Sequence, residues 1–311
     1  MTVEVRLLEF FLRVAELGSI NKAAASLHLS QPALSRHIAL LEHEIGNKLF
    51  NRTPGGVDLT DAGRMLSDRA RPLIRQLTIL KEQVGEKASG QLAIGTPPAW
   101  QQVVTSPFVE KLSGRHPAIA LHVYEGVSNV LREYMSARLL DIAIVPYDSS
   151  PSATYRKTPL VREPMVLVGR SEDALHPDKP VALSRLDGLR LVLPGRPNVA
   201  RIQVEHALER KGMQFQLAVE TDTLSLCLDL ARRGVGFSVV PASSLYEHGL
   251  GDTISWAPIR GQFVTWALCE NLARTHSQAV REGRGLLMKA VSSALDLKIW
   301  SRAERAKGYE P

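Results

Sequence analysis

The chain has 311 residues, 44% hydrophobic, 23% charged and 5% aromatic, a composition too apolar for a disordered protein. At roughly 100–200 residues per domain, this length predicts two or three domains with full cores. The net charge of +6 mildly favours an anionic partner. However, residues 1–60 hold six basic and six acidic side chains, so any nucleic-acid surface there comes from arrangement rather than bulk charge.

From residue 1 to about 58 the pattern predicts short helices. Leu7, Phe10, Phe11 and Val14 fall at helical spacing, and Gly18 ends the element. Ser19 is a candidate N-cap for a helix carrying Ala23, Ala24 and Leu27, and Ser30 caps the next one. There Leu34, Ile38, Leu41 and Ile45 form one apolar stripe, with Pro32 in the first turn. The small Ala23-Ala24 pair, the tight His28-Leu29-Ser30 turn and a polar outer face make this a candidate helix-turn-helix. Two strand-like pieces around Pro54-Gly55-Gly56 predict a β-wing.

A long helix follows over about 61–87, capped by Thr60. Its Leu66, Ala70, Leu73, Leu77, Leu80 and Val84 alternate in steps of four and three, which is the seam of a two-helix coiled coil or one face of an ordinary core helix. Pro72 should bend it, and Ala88-Ser89-Gly90 reads as a hinge. The rest alternates strands and helices, an α/β pattern with two sheets expected. Strand candidates are 92–95, 119–124, 141–145, 165–168, 190–193, 217–220, 237–240 and 263–269, with a last helix over 286–299 and a frayed polar tail beyond Trp300.

The side chains of the helix that Ser30 caps suit DNA. Gln31 can pair with adenine and Arg36 with guanine or phosphate, while the short Ser30, Ala33 and Ser35 let the helix end approach a groove. The run from Ser19 to Glu42, continuing through Glu44-Ile-Gly-Asn-Lys-Leu-Phe-Asn-Arg-Thr53 and Val57-Asp-Leu-Thr-Asp-Ala-Gly63, closely resembles the signature of LysR-type transcriptional regulators. Later landmarks agree more loosely, among them Gly90–Gly95, Asp141-Ile-Ala-Ile and Arg233–Pro241, so the resemblance covers residues 5–300.

The resemblance implies a winged helix-turn-helix over 1–59, a dimerising linker helix over 60–89 and an effector domain over 90–300 like type 2 periplasmic-binding proteins, then a tail over 301–311. Within the effector domain it implies subdomain I at 90–161 and 267–300 and subdomain II at 162–266. It implies DNA contacts from Ser30, Gln31, Pro32, Ala33, Ser35, Arg36 and the wing residue Arg52, with Asn21 and Lys22 as candidate phosphate contacts. Partners implied are an interrupted palindrome in double-stranded DNA, further copies of the chain forming a dimer and then a tetramer, a small-molecule effector, and RNA polymerase as a candidate contact. Effector-cleft positions carried over are Thr96, Trp100, Gln101, Ser128, Asn198, Val199, Arg201 and Thr223. Arg201 is a candidate clamp for an anionic effector and Trp100 a candidate aromatic wall. Many relatives have a hydroxyl where this chain has Ala99, which puts an anionic ligand in doubt.

Catalytic motifs such as HExxH, GxSxG and GxxxxGK[ST] are missing, and Gly234-Val-Gly236 lacks the third glycine of a dinucleotide fingerprint. Nine His show no metal spacing, and Cys227 and Cys269 read as reduced core thiols. The sequence therefore predicts no enzyme, no metal and no cofactor. The N-terminus lacks a signal peptide's apolar segment and no membrane span is found, so the expected location is the cytoplasm. Two alternatives stay open: an effector-independent DNA-binding repressor, and a solute-binding α/β protein with an accessory helical domain.

Overall fold

The computed structural model describes residues 4–53, 56–84, 90–246 and 253–308. The chain divides into two units, Met1–Glu86 and Lys87–Pro311.

In the first unit α1 (Val5–Leu17), α2 (Ile20–Ser26) and α3 (Gln31–Ile45) surround a core that includes Phe10, Phe11, Val14, Ala23, Leu34, Ile38 and Leu41. The stops and starts are those the side chains dictate. Gly18 closes α1 in the left-handed region at φ +60°. The Ser19 and Ser30 hydroxyls accept from the N–H groups of Lys22 and Ala33, each at 3.4 Å. Strands β1 (Phe50–Thr53) and β2 (Gly56–Leu59) pair antiparallel, Phe50 opposite Leu59, as the wing. Of its expected turn, Pro54 and Gly55 lie outside the described residues. Gly56 is needed where it stands, since a Cβ there would lie 2.2 Å from the carbonyl oxygen of Gly18.

Helix α4 (Asp61–Val84) opens on Thr60, whose Oγ1 accepts from Gly63 N–H at 2.9 Å and donates to the Lys48 carbonyl at 2.7 Å. Pro72 stays inside the helix. The seam residues divide in role. Ala70 is buried and Leu66 packs on the core, whereas Leu73 is 54% exposed and Leu77 half-buried. The side chains of Leu80 and Val84, and the hinge residues Ala88 and Ser89, lie outside the description.

In the second unit the strands are β3 (Gln91–Thr96), β4 (Ala120–Glu125), β5 (Ile142–Pro146), β6 (Tyr155–Arg170), β7 (Arg190–Leu193), β8 (Gln216–Glu220), β9 (Phe237–Pro241), β10 (Ile254–Asn271) and β11 (Glu304–Arg305). The helices are α5 (Ser106–Arg115), α6 (Ser128–Ser136), α7 (Val199–Glu209), α8 (Leu224–Arg232) and α9 (Gln278–Asp296). The expectation of two sheets is corrected. Hydrogen bonds join one nine-stranded sheet in the order β4-β3-β5-β10-β6-β9-β7-β8, with β11 paired to β6.

The joint is made by β6 and β10, which pair antiparallel over most of their length, where the sequence suggested only 165–168 and 263–269. Pro159, Pro164 and Pro258 lie inside these strands, and each sits at one of the two register shifts of the pair, between Pro258 and Phe263 and between Trp266 and Ala267. A bulge is where proline fits a ladder, because no donor is needed there. The expected subdomain borders at 161/162 and 266/267 run through the middle of these two strands, beside the second shift.

The frayed tail is also corrected. Trp300 is buried, Glu304 and Arg305 pair with Arg162 and Val161, and Ala306 donates to the Leu160 carbonyl at 2.9 Å.

Candidate nucleic-acid interface and ligand cleft

Helix α3 presents its first turn outward. Ser30, Gln31, Pro32 and Arg36 are exposed, Ala33 and Ser35 half-buried, while Leu34, Ile38 and Leu41 face the core. Gln31 Nε2 donates to Ser35 Oγ at 2.8 Å, and Arg36 Nε lies 3.4 Å from the Pro32 carbonyl. These are local, exposed bonds that water or a base edge can replace. Asn21 and Lys22 are exposed on the first turn of α2. Arg52 stands on β1 opposite Val57, and its side chain lies outside the description.

Sequence reasoning missed Glu42, the residue that fixes α3 against the wing. Its carboxylate, 9% exposed, accepts from Leu49 N–H at 2.9 Å, Phe50 N–H at 3.4 Å and Lys48 Nζ at 2.6 Å. Burial works against its charge, but the Lys48 ammonium and the two N–H groups hold its pKa below the usual value.

In the second unit a cavity of about 100 Å³ lies where strand ends converge. Its walls come from the residues that follow β3 (Pro97, Pro98, Ala99), β4 (Gly126–Ser128), β7 (Pro194), β8 (Thr221, Asp222) and β9 (Ser244), with Trp266 of β10. Carboxyl ends of parallel strands are the usual place for a ligand, because the loops there are unconstrained by the sheet. Of the eight residues expected, Ser128 and Asn198 line this cavity. Asn198 Oδ1 accepts from Arg201 N–H at 3.2 Å and so caps α7.

The other six stand elsewhere. Thr96 is buried at the end of β3, Gln101 and Thr223 are exposed, and Val199 is the first residue of α7. Trp100 is a correction: it is fully buried, edge-on to Trp266 and Trp300 at 5.7 and 4.8 Å between ring centroids. The wall it was expected to form is Trp266, packed in front of it. Arg201 is a second correction, because its guanidinium is already engaged. Nε donates to Glu205 at 2.8 Å and Nη1 to the Pro194 carbonyl at 2.8 Å and to Glu220.

Behind the cavity, Glu163 is fully buried and ties three distant segments together. It accepts from Trp266 Nε1, from Trp300 Nε1 at 2.9 Å and from the Ser243 N–H and hydroxyl at 2.7 and 2.9 Å. Burial pushes its pKa up against these four bonds.

Two family models match the chain: a bacterial regulatory helix-turn-helix of the lysR family over residues 5–64, and the LysR substrate binding domain over residues 85–291. The chain belongs to the LysR family of transcriptional regulators. It is 31% identical to the nitrogen assimilation regulatory protein nac of Escherichia coli K12, over 93% of this chain and 95% of that protein. It is 29% identical to the regulator BbuR of Bordetella bronchiseptica, over 90% and 87%. Its fold is shared with a full-length OxyR variant from Pseudomonas aeruginosa, at TM-score 0.68, 21% identity and complete coverage of both chains. It is shared equally with CbnR solved in complex with its target DNA, at TM-score 0.67, 21% identity, 94% of this chain and all of that one.

This LysR-family chain thus pairs a DNA-binding helix-turn-helix with an effector-binding domain, and the reading as a solute-binding protein with an accessory domain falls. The chain's two cysteines, Cys227 and Cys269, are its candidates for thiol chemistry. Both are buried, and burial pushes Cys227 up to about 11 and Cys269 to about 12, far from the thiolate that peroxide chemistry needs. No described helix is long and apolar enough to cross a membrane.

Proposed function

We propose that the protein binds an interrupted palindrome as a dimer, with the first turn of each α3 in successive major grooves, and that a small molecule in the cleft biases the arrangement of the effector-domain halves. The observation that carries the DNA half is the exposed, Ser30-capped start of α3, with Gln31, Pro32 and Arg36 outermost over a closed core. The positive end of its helix dipole favours a phosphate, while Gln31 and Arg36 have the donors that read base edges. Ser35, Asn21, Lys22 and Arg52 are proposed as flanking contacts.

The sensing half is supported by a cavity walled from both ends of one sheet, where β6 and β10 alone carry the chain across. A ligand that binds one arrangement better shifts the population toward it. Among the described residues the cavity lining holds no paired acid and base, and burial raises the pKa of its one thiol, Cys227.

The test is selection of bound fragments from random DNA by the purified protein at stated salt. An enriched two-fold site, protected on two successive major grooves, supports the reading. Salt-sensitive binding without sequence preference overturns it, and operator affinity that no cleft ligand alters favours the effector-independent repressor.

A further inference from the structure

The cleft carries more information than its position. Among the described residues no Lys, Arg or His lines it, and its one carboxylate, Asp222, is exposed and accepts from Gly195 N–H at 2.9 Å. The nearby guanidiniums are already matched by acids. Arg201 engages Glu205 and Glu220, and Arg196 lies 2.8 Å from Glu205. An anion entering this cavity would lose its hydration without meeting a cation, and a buried unpaired charge is strongly disfavoured.

The walls are apolar except at a few points. Two of these are serine hydroxyls with no hydrogen-bond partner among the described residues, Ser128 at the start of α6 and Ser244 in the turn after β9. They are 8% and 0% exposed, and both line the cavity. A buried hydroxyl without a partner is costly, so two in one cavity, one from each side of the β6–β10 pair, mark where a ligand's polar atoms belong. The N-terminal ends of α6 and α8, at Ser128 and Leu224, add partial positive potential, which suits a carbonyl or hydroxyl oxygen. Ala99 contributes a methyl group and no polar side-chain atom to the same wall.

We propose that the cleft takes an uncharged, largely apolar molecule of about benzene's size with a hydrogen-bonding group at each end, one held by Ser128 and the other by Ser244. The inference rests on the reading of this cleft as the effector site. It replaces the anionic ligand that the Arg201 clamp suggested.

The experiment uses the full-length protein and an isosteric pair of probes, 4-hydroxybenzamide and 4-hydroxybenzoate, with binding followed by saturation-transfer NMR and calorimetry. The neutral probe should bind at least about tenfold more tightly than the anion, reflecting the missing cation. Ser128→Ala and Ser244→Ala should each weaken it several-fold while leaving the ligand-free melting temperature unchanged or higher, because the hydroxyls have no protein partner to lose. Equal or tighter binding of 4-hydroxybenzoate overturns the proposal, as does failure of 4-hydroxybenzamide to bind at millimolar concentration or binding that both variants retain in full. Operator affinity measured in parallel keeps the two readings apart. Loss of specific DNA binding, or an operator affinity blind to a bound probe, counts against the regulatory reading and leaves the ligand class standing.

Discussion

Arg36 and Glu42 lie on the same helix and do opposite work. Arg36 is exposed, with its only described bond a long one to its own helix, so its donors are available to DNA. Arg36→Ala should weaken binding to the selected operator by about 1–3 kcal/mol and relax preference at one base position if the contact is bidentate to guanine. Gel-shift titration across operator variants reads both effects, and unchanged affinity removes Arg36 from the interface. Glu42 instead holds the helix to the wing through Leu49 and Phe50. Glu42→Ala leaves the buried Leu49 N–H without its acceptor and should cost about 1–3 kcal/mol in stability. Because the folded pKa of Glu42 lies below its ordinary 4.5, its contribution is fully present above that value and is lost as pH falls through the folded one. Calorimetric melting should therefore show the gap between wild type and variant at neutral pH, narrowing in acid. The cysteines give a third expectation at this scale. With both thiols buried and protonated, peroxide should leave operator affinity unchanged, and a peroxide-dependent footprint would refute a purely ligand-driven sensor.

At the scale of elements, α4 changes its role along its length. Near its start it packs on the core of the first unit: a Cβ on Gly63 would lie 2.1 Å from the Leu49 carbonyl oxygen, Leu66 packs against that core and Ala70 is buried. Further on, Leu73 is exposed, which a core helix would not tolerate cheaply but a seam awaiting a second copy requires. Leu73→Asp with Leu77→Asp places carboxylates in that seam and should convert a dimer to monomers, since the desolvation cost exceeds any contact they make. Sedimentation at fixed concentration checks this, and a variant that stays dimeric refutes the linker model. The β6–β10 pair is the other element with a double role. Its prolines sit where the ladder already shifts register, so two long strands bend at set points and connect both ends of the sheet.

Across the whole molecule, the C-terminal segment is a fastener rather than a tail. Trp300 closes the stack behind Trp266 and shares Glu163 with it, and the following residues add a short strand to β6. Trp300→Ala should destabilise the effector domain by about 3–5 kcal/mol, the usual cost of removing a buried tryptophan, with the Glu163 bond lost as well. Deleting residues 301–311 should cost less, about 1–2 kcal/mol, because among the described residues it gives up a short pairing, buried Ala306 and the exposed ion pairs of Arg302, Glu304 and Arg305, which contribute little. Differential scanning calorimetry separates the two, and a deletion that leaves the melting temperature untouched would return this segment to a frayed tail.

What the sequence determined by itself is the local and periodic part. Caps at Ser19, Ser30 and Thr60, the stop at Gly18, the stripe of α3 and the short parallel strands follow from neighbouring residues, and their bonds form within a few positions of each other. The family signature, packed into one continuous run, was legible for the same reason. What only the tertiary structure decided depends on groups far apart in the chain. Glu163 meets Trp266, Trp300 and Ser243 across separations of 80 to 137 residues, and no spacing rule signals such a meeting. Arg201 looked like an available clamp until folding brought Glu220 against it, and Ser244 follows a strand whose end the sequence marked without showing what it would face. Prolines 159, 164 and 258 fit inside long strands for a related reason. A residue's effect on a strand depends on whether its own N–H is needed, and that is set by a partner strand roughly a hundred residues away.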